Sequence, residues 1–401
     1  MVEIPVMHKY NRTMITINDK TQCCGCWACY NVCPKHCITM EEDSEGFRYP
    51  KVDADICIDC GLCERVCPIK QPKQDDTEPE SYVVQNKDTK VLRDSTSGGF
   101  FTVIANWAVN NGGVVFGAAF DENMTLRHIY SETIEGCVRF RGSKYVQSLI
   151  GESYAEAKKF LDDGRIVVFS GTPCQIAGLY GYLGNRKYEK LTTVDLVCHG
   201  TPSPRLLARY LAYYATLAGS QVIDYRSRDK HYGYDYSTAT ITFADKSKYY
   251  HKGKEADIML RLYFKNICSR PSCYHCHFKT LHRQSDITIF DCWDAFSVSS
   301  KFSRKGATNV FIHTSHGKEI FEQIKNEFVW APSEIDPIIK RDGIMIKHNV
   351  PVNPRRTEFF SDLNTLPLDA VEHKYLPSPF VKRMLVAVKP VLLWGTERNV
   401  Y

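Results

Sequence analysis

Two cysteine runs, CCGCWACYNVCP at residues 23–34 and CIDCGLCERVCP at residues 57–68, dominate the start of the chain. Both have the spacing C-x2-C-x2-C-x3-C-P and begin 34 residues apart, which makes them an internal repeat. In each run three closely spaced thiols bend a short loop around one centre, and a proline that ends a helix follows the fourth thiol. The repeat therefore predicts a small domain built around two linked metal centres.

This spacing is typical of bacterial ferredoxins with two [4Fe-4S] clusters, in which the fourth cysteine of each run binds the cluster of the other run. The predicted ligands are Cys23, Cys26, Cys29 and Cys67 for one cluster, and Cys57, Cys60, Cys63 and Cys33 for the second. Two zinc sites are the alternative, although zinc does not normally require interlocked runs. Cys24 and Cys37 lie outside the spacing, and we expect each to be a small buried cysteine.

The composition limits the class of protein. Ten of the 17 cysteines lie in the first 70 of 401 residues, and the N-terminus lacks the apolar stretch of a secretion signal. We therefore expect a cytoplasmic protein whose cysteines are ligands or catalytic thiols. The net charge of +5, from 51 basic and 46 acidic residues, does not favour nucleic-acid binding.

No apolar run is long enough to span a membrane, so we predict no transmembrane segment. The stretch MLVAVKPVLLW, residues 384–394, is predicted to be a packed terminal helix. An amphipathic segment that rests on a membrane or a partner is the alternative.

Composition and periodicity predict two main domains. Repeated strand–turn–helix patterns, such as RIVVFSGTPCQIAGLYGYLG, predict an α/β body with a mixed sheet and flanking helices, preceded by a small α+β ferredoxin-like domain. A segment rich in Pro, Lys, Asp and Glu reads as an exposed linker. The predicted boundaries are 1–70 for the ferredoxin domain, 71–81 for the linker, 82–300 for the body and 301–401 for a C-terminal helical extension packed on the body.

Two turns that follow predicted strands carry cysteines: SGTPCQ contains Cys174 and CHGTPSP contains Cys198. Ligands of such sheets bind beyond the carboxyl ends of the strands. Both thiols are predicted to lie where a loop becomes a helix, which would lower the pKa of each and favour the metal-binding thiolate. Two buried structural cysteines are the alternative.

Three further segments are candidates for cofactor binding. CSRPSCYHCHFK, residues 268–279, matches a c-type haem attachment signature, a zinc site or part of an iron-sulfur site, and haem is disfavoured because its attachment requires export. Ser97, Gly98 and Gly99 at a predicted helix start suit a phosphate or a flavin edge, although such a start is usually only a cap. RFRGSKYVQS, residues 139–148, is either a second cofactor surface or a polar loop.

The chain resembles the coenzyme F420 hydrogenase/dehydrogenase beta-subunit family in seven motifs, which occur in this order: STSGGFF, GGVVFGAAFDE, RGSKYVQS, VVFSGTPCQIAGL, VDLVCHGTPSP, RPSCYHCHFK and SDITIFDCWD. The resemblance extends from about residue 20 to residue 295. It implies an FAD-binding α/β fold in which an iron-sulfur cluster lies close to the flavin. Flavin suits that place because it accepts one or two electrons at a time.

The resemblance also implies site residues. The implied flavin contacts are Ser97, Gly98, Gly99, Arg141, Ser143, Lys144, Tyr145, Gln147, Ser148 and Thr172. The implied ligands of a third [4Fe-4S] cluster are Cys174, Cys198, Cys273 and Cys276. Cys268 is an alternative to any one of these ligands, whereas Cys137 and Cys292 are predicted to be structural.

Together these features predict an FAD- and iron-sulfur-dependent oxidoreductase. Ferredoxin or a partner oxidoreductase would exchange electrons with the N-terminal clusters, and coenzyme F420 or another small molecule would exchange a hydride with FAD, in either direction. The alternatives are an electron-transfer subunit without a substrate of its own and a zinc-stabilised interaction module. No catalytic acid or base is evident, since His199 is more readily a structural neighbour of Cys198.

Overall fold

The structure is a computed structural model that describes residues 14–72 and 77–377. The extreme N-terminus, part of the predicted linker and the apolar stretch at 384–394 lie outside the described residues. None of the described helices is both long enough and apolar enough to cross a membrane.

The N-terminal domain keeps the symmetry of the two cysteine runs. Its elements are α1 Ala28–Val32, β1 Ile38–Glu42, β2 Arg48–Val52 and α2 Leu62–Arg65, and β1 pairs with β2 in antiparallel fashion. Trp27 and Gly61, at equivalent places in the repeat, precede the two helices and both have a φ of 67°. These left-handed residues turn the two loops in the same way, so the third cysteine of each run lies in the first turn of a short helix.

The body is built on one large mixed sheet. Its strands are β3 Glu80–Asn86, β4 Val114–Phe120, β5 Leu126–Ser131, β6 Val167–Gly171, β7 Leu191–Leu196, β11 Ile287–Cys292, β12 Ala307–Ile312 and β13 Phe328–Pro332. A separate antiparallel sheet contains β8 Val222–Asp229, β9 Thr238–Phe243 and β10 Lys248–Tyr250. The large sheet has the order β13-β3-β12-β11-β7-β6-β4-β5. Its four central strands, β11, β7, β6 and β4, run parallel, and the predicted mixed sheet is confirmed.

Helices cover both faces of this sheet. The helices of the body are α3 Thr89–Asp94, α4 Phe100–Asn110, α5 Ile134–Cys137, α6 Ser153–Asp162, α7 Pro173–Tyr182, α8 Pro204–Ala218, α9 Ile258–Phe264, α10 Ser315–Ile324, α11 Ile335–Arg341, α12 Arg356–Thr365 and α13 Leu368–Tyr375. Successive residues of β4 point to opposite sides, so Val114 packs with α6 and α7 while Val115 packs with α4 and α10. The predicted units β6–α7 and β7–α8 are both present.

The chain beyond residue 300 is not a separate helical extension. It supplies β12, which lies between β11 and β3, and β13, which forms an edge of the same sheet. All six residues of β12 are buried, as expected for a strand inside a sheet that is covered on both faces. The body therefore continues past the predicted boundary, and only α10 to α13 follow the helical prediction.

The ferredoxin domain shares its apolar cores with the body. Phe47, at the β1–β2 turn, is fully buried in a core that also contains residues of α8, α9, α12 and α13. A second core joins the cysteines of both runs to α6, α7 and the strands β4 and β6. The N-terminal domain is thus built into the body and does not project from it on a linker.

Two glycines on α7 allow this close packing. A Cβ atom at Gly181 would lie 2.3 Å from the carbonyl oxygen of Val66, and one at Gly178 would lie 2.8 Å from the Cβ atom of Cys26. Neither distance is compatible with a side chain unless the helix or the cysteine loop shifts. Glycine at these positions therefore sets the distance between α7 and the ferredoxin domain.

We predict that Gly181→Ala lowers the free energy of unfolding by about 1–3 kcal/mol, because overpacking against the Val66 backbone outweighs the gain in helix propensity. Thermal unfolding followed by circular dichroism measures the change. Lys159→Ala, at an exposed position of α6, serves as the control and should change stability by less than about 0.5 kcal/mol. Equal stability of Gly181→Ala and the wild type would contradict the packing described above.

Candidate functional site

The carboxyl ends of β6, β7 and β11 open onto two adjoining cavities. The segment after β7 separates them, and four of its residues, Cys198, His199, Gly200 and Thr201, line both. Sheets of this kind bind ligands beyond the carboxyl ends of their strands. The two cavities therefore occupy the place where a functional site is expected.

The smaller cavity, of about 40 Å³, is lined by five cysteines, and we call it the cysteine cavity: Cys24, Cys174, Cys198, Cys273 and Cys276. Cys174 lies in the first turn of α7, and Cys198 follows β7. Cys273 belongs to the 3-10 turn Pro271–His275, and Cys276 comes directly after it. The structure thus brings the four predicted ligands of the third cluster to one place.

The fifth cysteine, Cys24, comes from the ferredoxin domain. It is buried, as predicted, but its thiol contacts the thiol of Cys174. Cys268, the alternative ligand, lies fully buried in the apolar core and does not line the cavity. In the sequence, the only sign that Cys24 belongs to this cavity is its position next to Cys23. Consecutive residues of an extended segment point to different sides, so the two thiols have different neighbours.

Burial raises the pKa of the thiols around the cysteine cavity. Contact with Cys24, followed by burial, raises the pKa of Cys174 well above its usual value. Burial likewise raises the pKa of Cys198, and it raises that of Cys276 to about 12. The predicted lowering at a helix start is therefore wrong for both turn cysteines, and Cys198 lies in a loop well before α8. Such thiols become thiolates when a metal displaces their protons.

The ferredoxin domain holds the second predicted ligand set around a cavity of its own. This cavity, of about 20 Å³, is lined by Cys33, Cys57, Cys60 and Cys63, together with the additional Cys37. The Sγ atoms of Cys33 and Cys37 lie 3.4 Å apart. Cys33 thus joins the three cysteines of the other run, which is the crossed arrangement that the spacing predicts.

The first predicted ligand set lies against the body. Cys26, Cys29 and Cys67 are buried, and Cys23 is half-buried. Burial, together with the proximity of Cys23 and Cys67, raises the pKa of Cys29. Cys67, from the second run, therefore lies with the three cysteines of the first.

The larger cavity, of about 460 Å³, is lined by most of the predicted flavin contacts, and we call it the polar cavity: Ser97, Gly99, Arg141, Ser143, Lys144, Tyr145, Ser148 and Thr172. Gly98 does not line it, because its N–H donates to the Thr308 hydroxyl and its Cα packs against the backbone of β3. Gln147 does not line it either, because its amide donates to the carbonyl of Cys24. Gly99 precedes α4 with a φ of 80° and no side-chain cap, so the glycine turns the chain into the helix.

Lys144 provides a cation at the wall of the polar cavity. Its Nζ donates to the carbonyls of Arg139 and Arg141 at 3.0 Å and 2.8 Å. Burial lowers the pKa of Lys144 to about 7. Its two partners are neutral carbonyls, so an anion in the cavity would stabilise the charged form of the amine.

The polar cavity is also lined by an ion pair that the sequence did not reveal. The guanidinium of Arg228 forms a buried pair with Asp291, which also accepts a hydrogen bond from the Ser97 hydroxyl. The same guanidinium lies 4.7 Å from the centre of the Trp293 ring. Arg228 and Asp291 are far apart in the chain, and their pairing depends on the neighbouring positions of β8 and the end of β11. Asp291 holds the start of the Ser97 segment against the sheet.

Two family models match the chain. A model for the C-terminal region of the coenzyme F420 hydrogenase/dehydrogenase beta subunit matches residues 164–337, which include Cys174, Cys198, Cys273 and Cys276. A model for the 4Fe-4S dicluster domain matches residues 22–70, which include both cysteine runs. The body of the chain thus contains a C-terminal domain of the coenzyme F420 hydrogenase/dehydrogenase beta-subunit family. The N-terminal part of the chain is a 4Fe-4S dicluster ferredoxin domain.

Curated proteins that are similar to this chain match its ferredoxin domain. A 7Fe ferredoxin of Hydrogenibacillus schlegelii is 42% identical over 64 residues, which are 15% of this chain and 76% of the ferredoxin. Subunit I 2 of a NADH-quinone oxidoreductase of Geobacter metallireducens is 40% identical over 13% of this chain and 44% of the subunit. A chain of the F420-reducing [NiFe] hydrogenase complex from Methanosarcina barkeri aligns with a TM-score of 0.43 and 18% identity, over 75% of this chain and 94% of that chain.

We predict that Asp291→Asn lowers the free energy of unfolding by about 3–5 kcal/mol, because it leaves the Arg228 guanidinium buried without a counter-charge. Chemical denaturation measures the change. Asp94→Asn breaks an exposed pair with Arg93 and should cost less than about 1 kcal/mol. A similar effect of the two substitutions would show that Asp291 does not balance a buried charge.

Proposed function

We propose that this protein is an iron-sulfur flavoprotein oxidoreductase that moves electrons between its ferredoxin clusters, a third [4Fe-4S] cluster in the cysteine cavity and FAD in the polar cavity. A hydride then passes between the flavin and coenzyme F420 or another organic substrate. The observation that carries this proposal is the shared wall of the two cavities, where Cys198 and its neighbours line both. A one-electron carrier and a two-electron carrier held there would be adjacent.

The residues of the cysteine cavity fit an iron-sulfur cluster. Cys174, Cys198, Cys273 and Cys276 would hold it, and the backbone N–H of Thr201 donates to the Cys273 sulfur at 3.4 Å. Hydrogen bonds of this kind to ligand sulfurs adjust the reduction potential of a cluster. The Lys279 ammonium lines the same cavity and donates to the carbonyl of Cys198, so a cation lies beside the thiolates. The cluster would supply one-electron transfer.

The polar cavity fits an anionic, partly aromatic cofactor. Its volume of about 460 Å³ lies within the range of about 300–1,000 Å³ that is usual for small-molecule sites. Lys144 and Arg141 supply positive charge, and the half-buried ring of Tyr145 supplies an aromatic surface beside Tyr263, 4.7 Å away between ring centres. FAD bound there would supply exchange of one or two electrons. Gly98 and Gln147 lie elsewhere and are not part of this proposal.

His199 also lines both cavities, but it has a structural partner. Its Nε2 lies 2.6 Å from the Asn266 side-chain oxygen, and burial lowers its pKa. A neutral histidine that donates to an amide oxygen holds the segment after β7 in place. We therefore assign His199 to positioning of the shared wall.

A second candidate function is that of an electron-transfer subunit without a substrate of its own. It is favoured by the surface of the second ferredoxin ligand set, where Cys60 is exposed and Ile56 and Ile58 expose half or more of their surface. Apolar side chains around an exposed cluster suit the docking of a ferredoxin or a partner oxidoreductase. The same surface serves the leading proposal, in which such a partner delivers or accepts electrons.

Single zinc ions are a weaker explanation of the cysteines, because zinc does not normally require two interlocked runs. The described cysteines are all free thiols, a state that suits the reducing cytoplasm in which we propose the protein works.

We predict about twelve irons, from three four-iron clusters, and one FAD in each anaerobically purified chain. Iron, acid-labile sulfide and released flavin measure these contents. Cys198→Ala should remove about four irons, whereas Cys268→Ala, in the apolar core, should keep all of them. Full iron in both variants would refute the third cluster.

Dithionite-driven reduction of F420 by the isolated chain separates the enzyme from the subunit, since a subunit would need an added partner for this activity.

We predict that FAD binds the flavin-depleted protein less tightly as the pH rises above about 7, by up to tenfold per pH unit. Lys144 has a lowered pKa of about 7, so its amine is charged below this pH and loses its attraction for the FAD pyrophosphate above it. Quenching of flavin fluorescence between pH 6 and pH 9 measures the dissociation constant. Lys144→Met should bind FAD more weakly and without this pH dependence, whereas Lys159→Met should resemble the wild type. An unchanged pH dependence in Lys144→Met would exclude Lys144 as the source.

A further inference from the structure

Arg270 is the largest side chain among the fully buried residues of the described chain, with 1% of its surface exposed. It belongs to the cysteine segment of the body, three residues before Cys273. Its guanidinium, however, extends into the ferredoxin domain. A buried positive charge must find an anion or carry a large desolvation cost.

The contacts of Arg270 include no carboxylate among the described residues. Its Nε donates to the Cys23 carbonyl at 2.7 Å, and its Nη1 donates to the Gln147 side-chain oxygen at 2.9 Å. Its Nη2 donates to the Arg48 carbonyl at 2.9 Å and to the Cys23 sulfur at 3.5 Å. The guanidinium carbon lies 4.2 Å from the centre of the Tyr49 ring. Only the Cys23 sulfur among these groups becomes an anion when it binds metal.

The cysteine loop is shaped to admit this side chain. Gly25 has a φ of 68°, and a Cβ atom there would lie 2.7 Å from Nη1 of Arg270. Gln147 binds both the guanidinium and the carbonyl of Cys24, so it closes the loop from the other side. Glycine between Cys24 and Cys26 thus permits the approach of a cation to the loop that carries three predicted ligands.

We propose that Arg270 supplies the counter-charge of the ferredoxin cluster predicted at Cys23, Cys26, Cys29 and Cys67, and that it raises the reduction potential of this cluster. The inference rests on the proposed function, since it requires that cluster. A [4Fe-4S] centre with four thiolates is an anion, and its negative charge grows on reduction. A fixed cation in a buried place therefore stabilises the reduced form more than the oxidised form. Arg270 acts only through the potential of the cluster, so in this proposal it is a positioning residue and not a catalytic one.

The position of this cluster indicates in which direction its higher reduction potential would favour electron transfer. Cys24 follows Cys23, and its thiol contacts Cys174 at the cysteine cavity. The first ligand set is therefore the ferredoxin group that adjoins the body, whereas the second set includes the exposed Cys60. A higher potential next to the body draws electrons from the exposed cluster towards the cysteine cavity.

Redox titration of the full chain, followed by electron paramagnetic resonance, tests the proposal with Arg270→Gln and Arg270→Lys. Arg270→Gln should lower the equilibrium constant for reduction of the first ferredoxin cluster at least tenfold, which corresponds to about 59 mV for one electron. It should lower that of the cluster at the cysteine cavity by less, because the guanidinium also lies near Cys174 and Cys273, and should leave the cluster of the second ligand set unchanged. Arg270→Lys keeps the charge and should stay within about threefold of the wild type, a shift of less than about 30 mV. Iron and sulfide contents are measured for every variant.

Arg356→Gln is the matched control. Arg356 also joins the body to the ferredoxin domain, but its guanidinium pairs with Glu45 at 2.5 Å and so has its own counter-charge. This variant should shift no potential. Unshifted potentials in Arg270→Gln with full iron content would overturn the inference, as would equal shifts in Arg270→Gln and Arg356→Gln.

Loss of iron in Arg270→Gln leaves Arg270→Lys to decide. Full iron and wild-type potentials in the lysine variant would support a role of the charge, and a shift of tenfold or more would refute it. A wild-type chain without any cluster would refute the proposed function and, with it, this inference. A wild-type chain with its clusters, but without an effect of Arg270 on their potentials, would refute only the inference.

Discussion

The contact between Arg270 and the Cys23 loop is the interaction on which the arrangement of the two domains depends. A buried guanidinium needs acceptors around its whole planar fork, and here they come from Cys23 and Arg48 of one domain and Gln147 of the other. The apolar contacts around it, such as Phe47 in the core of the body, hold the same orientation. A ferredoxin domain fixed in this way does not act as a mobile carrier, so in the proposed function electrons pass between it and the body through the loop that touches the body.

Features that depend on local spacing could be predicted from the sequence. The crossed grouping of the cysteines follows from the spacing of the repeat, and the unit from β6 to α7 involves residues close together in the chain. The strands β12 and β13 were missed because their partner lies far away: Thr308 pairs with Val84, and Trp330 pairs with the same residue from the other side. A short buried strand between helices has no periodicity that reveals such a partner.

In the candidate site, the positions of single side chains are likewise hard to predict from the sequence. Lys144 and Gln147 belong to one irregular loop, yet the first lines the polar cavity and the second turns to Arg270. The predicted lowering of the Cys174 pKa is wrong for a different reason. A helix start stabilises a thiolate by about 0.3–1 kcal/mol. Contact with the thiol of Cys24, followed by burial, raises the pKa of Cys174, and burial alone can raise a pKa by up to about 3–5 units, so these effects outweigh the helix start. Both are properties of the whole fold and cannot be read from a turn motif.

Burial of the thiol groups also makes added negative charge costly, and nearby cations reduce this cost. Cys60 of the second ferredoxin set is exposed, Cys29 of the first set is buried, and the four predicted ligands at the cysteine cavity are half-buried. Removing water from an anionic centre disfavours the extra negative charge of reduction, so burial alone would oppose electron flow into the body. Arg270 lies beside the buried ferredoxin set, and Lys279 lies beside the cysteine cavity, where its Nζ donates to the Cys198 carbonyl. Both groups therefore have a nearby cation that offsets the loss of water, and in the proposed function electron transfer between them need not run uphill.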